Sequence, residues 1–476
     1  MNIFDSLKQT IMVMVGVAMA ALVEPALAQG PGNVPDWHRI TTEQQQQLEA
    51  QQKQLASQNE LLEELQYQVQ SLTATTDAGA FGQLAVQPPS EAGGALSQDF
   101  KHERVIPTSS NVTFPDAALN LSIPGIKTTI GIHGFTEGQI ISDITNGLNN
   151  NEFDTSFIPI PSEPYQTKFS VNPSKFIIST ATPVTSGRLN TVLAVDFNGE
   201  LPRPVPRLRV AYGEYINDDL DYALLAGQTF TTMLDLKAQP ETLDFAGPTG
   251  LFARRQPVAK FSKLLGREVV VEMAIETPGG SIFRNAEPLS QVPAFVGAVN
   301  WLPNGHCIRN LRLTGLARAL NAELPDGSQD SDFGWAIVGS GRVMLPLLCE
   351  KDNVCFNVQF GDGFGGQLKS GPADAVLNLA TSHLTTLGVF STYGGLQHWW
   401  TDSARTNVAC GYNTVDNPGF IDGGALESTL YASANLVWNP IEKVTVGFEY
   451  LYGNRKNVDG ASGEANRLLF SSRFIY

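Results

Sequence analysis

Residues 466–476 read Asn-Arg-Leu-Leu-Phe-Ser-Ser-Arg-Phe-Ile-Tyr. Counted back in twos from Tyr476, one face carries Phe474, Ser472, Phe470 and Leu468; the other carries Ile475, Arg473, Ser471, Leu469 and Arg467. A period of two with one apolar and one largely polar face is the pattern of a β-strand. In water such a strand leaves an apolar face and a hydrogen-bonding edge uncovered. A closed barrel in a membrane covers both, because lipid takes the apolar face and neighbouring strands take the edges. The chain after about residue 125 repeats this logic. It predicts an all-β membrane protein: a 16-stranded antiparallel transmembrane β-barrel, preceded by an N-terminal periplasmic coiled-coil helix.

Composition is compatible with this reading. Across 476 residues, no apolar run approaches the roughly 20 residues that a membrane-spanning helix needs. A mean hydropathy of -0.08 fits strands whose apolar and polar residues alternate and cancel. The formal charge of -16 argues against a nucleic-acid partner.

Residues 1–28 look like a secretory signal, with Lys8, an apolar core over 11–23, and Ala26-Leu27-Ala28 before Gln29. After an N-terminal segment, 29–40, the pattern over 41–73 becomes a heptad. Leu48, Leu55, Leu62 and Val69 fall seven apart, with Gln51, Gln58, Leu65 and Leu72 at the companion positions. That spacing predicts a short coiled coil, hence an oligomer; the alternative is a disordered Gln-rich tail. Residues 74–126, punctuated by Pro88-Pro89 and Gly93-Gly94, read as a linker. The barrel is expected over 127–476.

Sixteen strand-like segments run from 127–144 to 466–476, among them 167–182, 382–393 and 401–413. An even count returns both barrel ends to the periplasmic side. Short connections expected there alternate with long outer ones at 145–166, 230–254 and 362–381. In 187–200, Leu189, Leu193 and Val195 share the expected lipid face while Arg188, Asn190 and Asp196 take the other. Trp301 and Trp438 at one end, and Trp335 and Tyr452 at the other, suit aromatic girdles.

Three passages resemble the DcaP-like outer-membrane porins. They are 119–128 (Leu-Asn-Leu-Ser-Ile-Pro-Gly-Ile-Lys-Thr), 207–212 with 225–230 (Leu-Ala-Gly-Gln-Thr-Phe), and 240–257 with its Pro-Glu-Thr-Leu-Asp-Phe and Arg-Arg-Gln-Pro. Phosphate-selective porins share a similar plan. The resemblance implies a homotrimer in outer-membrane lipid and lipopolysaccharide that passes small anions such as dicarboxylates. The terminal aromatics Phe474 and Tyr476 look like the signal read by the barrel-assembly machinery. A phosphate-selective porin, or a structural or adhesive barrel, is the alternative.

A channel needs a constriction whose charge and width select the solute. The connection 230–254, expected to fold inward, offers Asp235, Glu241 and Asp244, with Arg254 at its end. The polar strand faces offer Arg207, Arg209, Arg255, Arg312, Arg318, Arg342 and Arg405. Arginine suits anion binding because its planar fork engages a carboxylate or phosphate at two points and stays charged. Alternatively, these arginines pair with Glu268, Glu272, Glu276 and Glu449 and merely fill a polar interior. No Gly-x-Ser-x-Gly or His-Glu-x-x-His pattern occurs, and no Cys-x-x-Cys pair. No enzyme, cofactor or metal is therefore expected. Cys349 and Cys355 flank an expected periplasmic turn and predict a disulfide, with Cys307 as the competing partner; Cys410 is expected as a buried free thiol.

Overall fold

The structure is a computed structural model, which describes residues 119–122, 127–148, 151–199, 204–284, 286–304, 307–345 and 350–476. The expected signal, coiled coil and most of the linker lie outside the described residues.

Sixteen strands form the wall: β1 Thr129–Asp143, β2 Gln166–Ser170 continued by Lys175–Val184, β3 Gly187–Asp196, β4 Arg207–Asn217, β5 Tyr222–Phe230, β6 Arg255–Leu265, β7 Val269–Glu276, β8 Ala294–Trp301, β9 Ile308–Glu323, β10 Gln329–Met344, β11 Asn353–Asp362, β12 Gly388–Trp399, β13 Ala404–Asp416, β14 Leu426–Ile441, β15 Val444–Asn457 and β16 Ser462–Ile475. Each pairs antiparallel with the next, and β1 pairs with β16, so the sheet has no free end. Backbone donors and acceptors that lipid could not satisfy are thereby paired within the wall.

Side chains alternate as period two requires. Phe295, Leu313, Phe333, Phe360, Phe390 and Phe448 stand outward and exposed, whereas Glu137, Asp196, Glu272, Arg405 and Glu449 point inward and are buried. Leu189 and Leu193 take the outward face and Asp196 the inward one, as the pattern of that segment predicts. Cys410 is exposed rather than buried. Its register partner Ala432 is small, and Gly394, opposite on the other side, has no side chain to cover it.

The closure is specific. In the register joining β1 to β16, Glu137 lies opposite Arg473 and Asp143 opposite Arg467. Both pairs are bonded inside the barrel: Arg467 Nε donates to Asp143 at 2.6 Å, and Arg473 Nη2 stands 2.8 Å from Glu137. Arg467 and Asp143 are almost wholly buried. Below the seam, Gly134 and Tyr476 exchange backbone hydrogen bonds at 3.3 and 3.0 Å, and the Tyr476 hydroxyl donates to Lys175 O at 3.2 Å. A short strand, Leu119–Ser122, then continues the line of β16 along β1. That strand lies within the expected linker, which is the first correction to the linear reading.

The second correction concerns 394–400, expected as a connection. β12 runs on to Trp399, and its turn is 400–403. A third is local: β2 is interrupted over 171–174, where Ser174 Oγ bonds the Glu137 backbone at 3.0 and 3.3 Å. At the loop end of the barrel, Ile282–Phe283, Ala375–Asn378 and His383–Thr386 form a separate three-stranded sheet.

Removing one partner of a buried ion pair leaves an uncompensated charge, at a cost of about 3–5 kcal/mol. Arg467→Ala is therefore expected to lower the temperature at which the barrel loses its compact gel mobility. Arg467→Ala/Asp143→Ala should recover part of that loss. Equal losses in the single and double variants would contradict a register fixed by this pair.

Candidate functional site

Three connections, not one, fold back into the barrel. The connection 231–254, expected inward, follows the inner wall from β9 to β15. Asp235 caps the Lys237 N–H and accepts from Asn310 at 2.8 Å and Ser340 at 2.7 Å. Arg342 donates to the carbonyls of Lys237, at 2.6 Å, and Gln239. Glu241 accepts two bonds from Arg405, the Nε one at 2.6 Å. Glu449 accepts the N–H groups of Leu243 and Asp244 at 2.8 and 2.7 Å. The Leu243 side chain fills the hollow over Gly447, where a Cβ would fall 2.6 Å from its Cδ1.

The connections 144–165 and 363–387, expected outside, stack on the first. Lys369 exchanges backbone bonds with Gly250 and Leu251, and the carbonyls of Lys369 and Ser370 accept from Asn413 on the β13 wall. The N–H of Phe153 donates to Asp244 at 3.0 Å, and Phe153 meets Tyr431 edge to face. The Lys369 ammonium joins all three, lying 3.5 Å from Glu152 and 3.6 Å from Asp154. Burial works against its charge, but Asp154, Glu152 and Asp244 outweigh it and hold its pKa above the ordinary lysine value. Burial pushes the Asp244 carboxyl up to about 6, although Lys369 opposes it.

The other wall is built differently. Where β3 meets β4, the register shifts between Ala194 and Val195: Leu208 lies opposite Val195, Val210 opposite Ala194, and Arg209 is the extra residue. Strict alternation continued back from inward Val210, Tyr212 and Glu214 would turn Arg207 and Arg209 to lipid. The β-bulge restores both to the lumen. There Asp196 accepts from Arg207 Nε at 3.0 Å and Nη2 at 2.9 Å, and from Arg209 Nη1 at 2.5 Å. Arg209 lies over Phe245 (4.8 Å to the ring centroid) and Phe230 (5.9 Å), and Arg255 lies over Phe230 (5.4 Å). Lys175 and Arg473 flank Phe135 at 5.4 and 4.3 Å. Lys175 is close enough to Arg209, Arg255 and Arg473 for their charges to interact. Among the described residues, Asp196 and Glu137 are the carboxylates that form ion pairs with this cluster of five basic side chains, and Lys175 and Arg255 have no ion-pair partner.

The expected site residues thus divide. Arg207, Arg209 and Arg255 meet at the half-open cluster, which also contains Lys175 and Arg473. Lys175 has no sequence signal beyond its place in a strand, and Arg473 has none beyond the polar face of β16. Arg312 is bonded to Glu272, and Arg318 lies 2.7 Å from Asp374; both are buried. Arg342 and Arg405 tether the first inward connection, as do Asp235 and Asp244 in their buried positions. Arg254 sits near Asp374, Arg318 and Glu276. Cys355 is a buried free thiol facing inward; Cys349 lies outside the described residues.

A sixteen-stranded barrel with an apolar outside, a polar inside and connections folded into its lumen is the architecture of an outer-membrane channel. The family model described as DcaP outer membrane protein matches residues 146–476. The chain belongs to that family. The solved outer-membrane channel DcaP of Acinetobacter baumannii superposes with a TM-score of 0.67 at 18% identity, covering 73% of this chain and 97% of that one. An anion-selective porin from Comamonas acidovorans (TM-score 0.51, 8% identity, 73% and 100% covered) and OprB of Pseudomonas putida (0.50, 10%, 73% and 94%) share the fold. No curated protein matches in sequence.

Glu449→Ala leaves the buried N–H groups of Leu243 and Asp244 without an acceptor, at about 1–3 kcal/mol each. It is expected to give larger, noisier single-channel currents than wild type; unchanged currents would show that the tether does not hold the connection. The Asp244 carboxyl, raised to about 6, keeps its proton in the packed state at a pH where an unfolded chain has lost it. Its contribution therefore weakens packing as pH rises from about 4 through about 6 and relaxes as pH falls through that window. Current noise should drop on acidification from about pH 7 to about pH 5, and Asp244→Asn should remove this component.

Proposed function

We propose that the protein is a passive diffusion channel of the outer membrane that favours small anionic solutes, dicarboxylates among them, and performs no covalent chemistry. The observation that carries this reading is the cluster of Lys175, Arg207, Arg209, Arg255 and Arg473, whose cations outnumber the carboxylates bound to them. Its arginines lie over the rings of Phe230, the last residue of β5, and Phe245 of the inward connection, which hold the guanidiniums on that wall. In a narrow lumen such charges concentrate anions although the whole chain is acidic. The buried arginines do not add to this field as free charges, because each of Arg312, Arg318, Arg405 and Arg467 has a carboxylate partner.

A homotrimer, with the N-terminal coil in the periplasm, belongs to the same reading. Phosphate selectivity is the nearest variant, since the same forks accept phosphate. A structural barrel with little transport is favoured by one observation, the packing of three connections inside the lumen.

Purified protein in planar bilayers under a potassium chloride gradient decides among these. The expected reversal potential has the sign of anion preference, and Arg207→Gln/Arg209→Gln/Arg255→Gln should move it towards zero. Wild-type cation preference would overturn the reading, and absence of conductance would support the structural barrel. Competition between succinate and phosphate for current block separates the two anion variants.

A further inference from the structure

Within the cluster, Asp196 has a position that anion attraction alone does not require. It is fully buried, it stands at the end of β3, and its single carboxylate serves two guanidiniums. Arg207 takes both oxygens through Nε and Nη2, while Arg209 reaches the second oxygen through Nη1. The side chains of these arginines remain 30% and 11% exposed, so donors are left for a passing solute. The β-bulge brings the second arginine to the carboxylate: without the extra residue, Arg207 and Arg209 would not share the lumen with the inward residues of β4.

A channel has to bind its solute strongly enough to admit it and weakly enough to release it. Arg207 and Arg209 with no counter-ion, next to Arg255, which has no ion-pair partner among the described residues, would make three adjacent guanidiniums able to hold a dianion. We propose that Asp196 is a specificity-determining positioning residue. It withdraws one unit of charge from the cluster and fixes the direction of two guanidinium forks, so that small anions are drawn in and still leave. This inference rests on the anion-channel reading and adds the residue that limits affinity at the same site.

The test compares full-length wild type, Asp196→Asn, Asp196→Glu and Asp196→Asn/Arg209→Gln in planar bilayers, with succinate as the probe. Restoring a unit charge a few ångströms from a bound anion strengthens binding on the order of tenfold at an effective dielectric constant of about 40. Asp196→Asn should therefore show stronger anion preference, and block by succinate at about one-tenth of the wild-type concentration. Asp196→Glu should stay close to wild type. Asp196→Asn/Arg209→Gln, which removes the uncovered charge, should return towards wild-type block; a purely architectural role for Asp196 would not be rescued by removing its partner. Heat-modifiable gel mobility identifies any variant that fails to close, and the double variant, which leaves no extra charge, then provides the comparison. Unchanged or weaker succinate block in a closed Asp196→Asn barrel would overturn the inference. The wild-type reversal potential reports separately on the anion reading, so the two failures are distinguishable.

Discussion

The seam between β1 and β16 is the contact on which everything else depends. It joins residues more than 300 positions apart, and its register is marked by Asp143 against Arg467 and Glu137 against Arg473. A slip of β16 by one residue would turn Arg467 and Arg473 towards lipid, leave Asp143 and Glu137 without their partners in the lumen, and bring Phe470 and Phe474 into it. The seam also assembles the candidate site. Arg473 is placed by β16 and Lys175 by β2, on opposite sides of β1, and Phe135 between them comes from β1 itself. A barrel that did not close in this register would lose the basic cluster with it.

Charge inside the barrel has two forms. On the wall from β9 to β16, arginines are buried against carboxylates or carbonyls and hold the inward connections in place. On the wall formed by β2, β3, β4 and β6, with Arg473 beside it, cations are half-open and short of partners. The low polarisability of the interior makes both arrangements consequential: a tether there is costly to break, and an uncovered cation there acts strongly on a passing ion. Lys369 unites the three connections because each of its carboxylate neighbours lies on a different one from itself, Glu152 and Asp154 on 144–165 and Asp244 on 231–254.

Much of the wall was legible in the sequence, because lipid outside and water or polar groups inside impose a period of two on every strand. Leu189, Leu193 and Asp196 fell where the pattern put them. Elements without a period were less legible. Nothing in the composition of 363–387 says whether it lies over the barrel or within it; that depends on bonds such as Asn413 to Lys369 O and Thr429 to Ser370 O, between residues distant in the chain. The division of the arginines was equally hidden. Arg405 and Glu241 are 164 positions apart, so only the fold identifies Arg405 as a tether and leaves Arg255 without an ion-pair partner among the described residues. The β-bulge at Arg209 breaks alternation at the point where two arginines enter the lumen, and a strict period would have forced a choice between them and Glu214.

In the proposed anion channel, the uncovered cations on this wall are where the solute is met. Anomalous diffraction from crystals soaked in bromide measures that directly. Bromide is expected beside Arg209, Arg255 and Lys175, near Phe230 and Phe245, and not at the tethers Arg312 and Arg405. A lumen in which that cluster stays empty while rubidium, soaked in parallel, occupies the passage would contradict it.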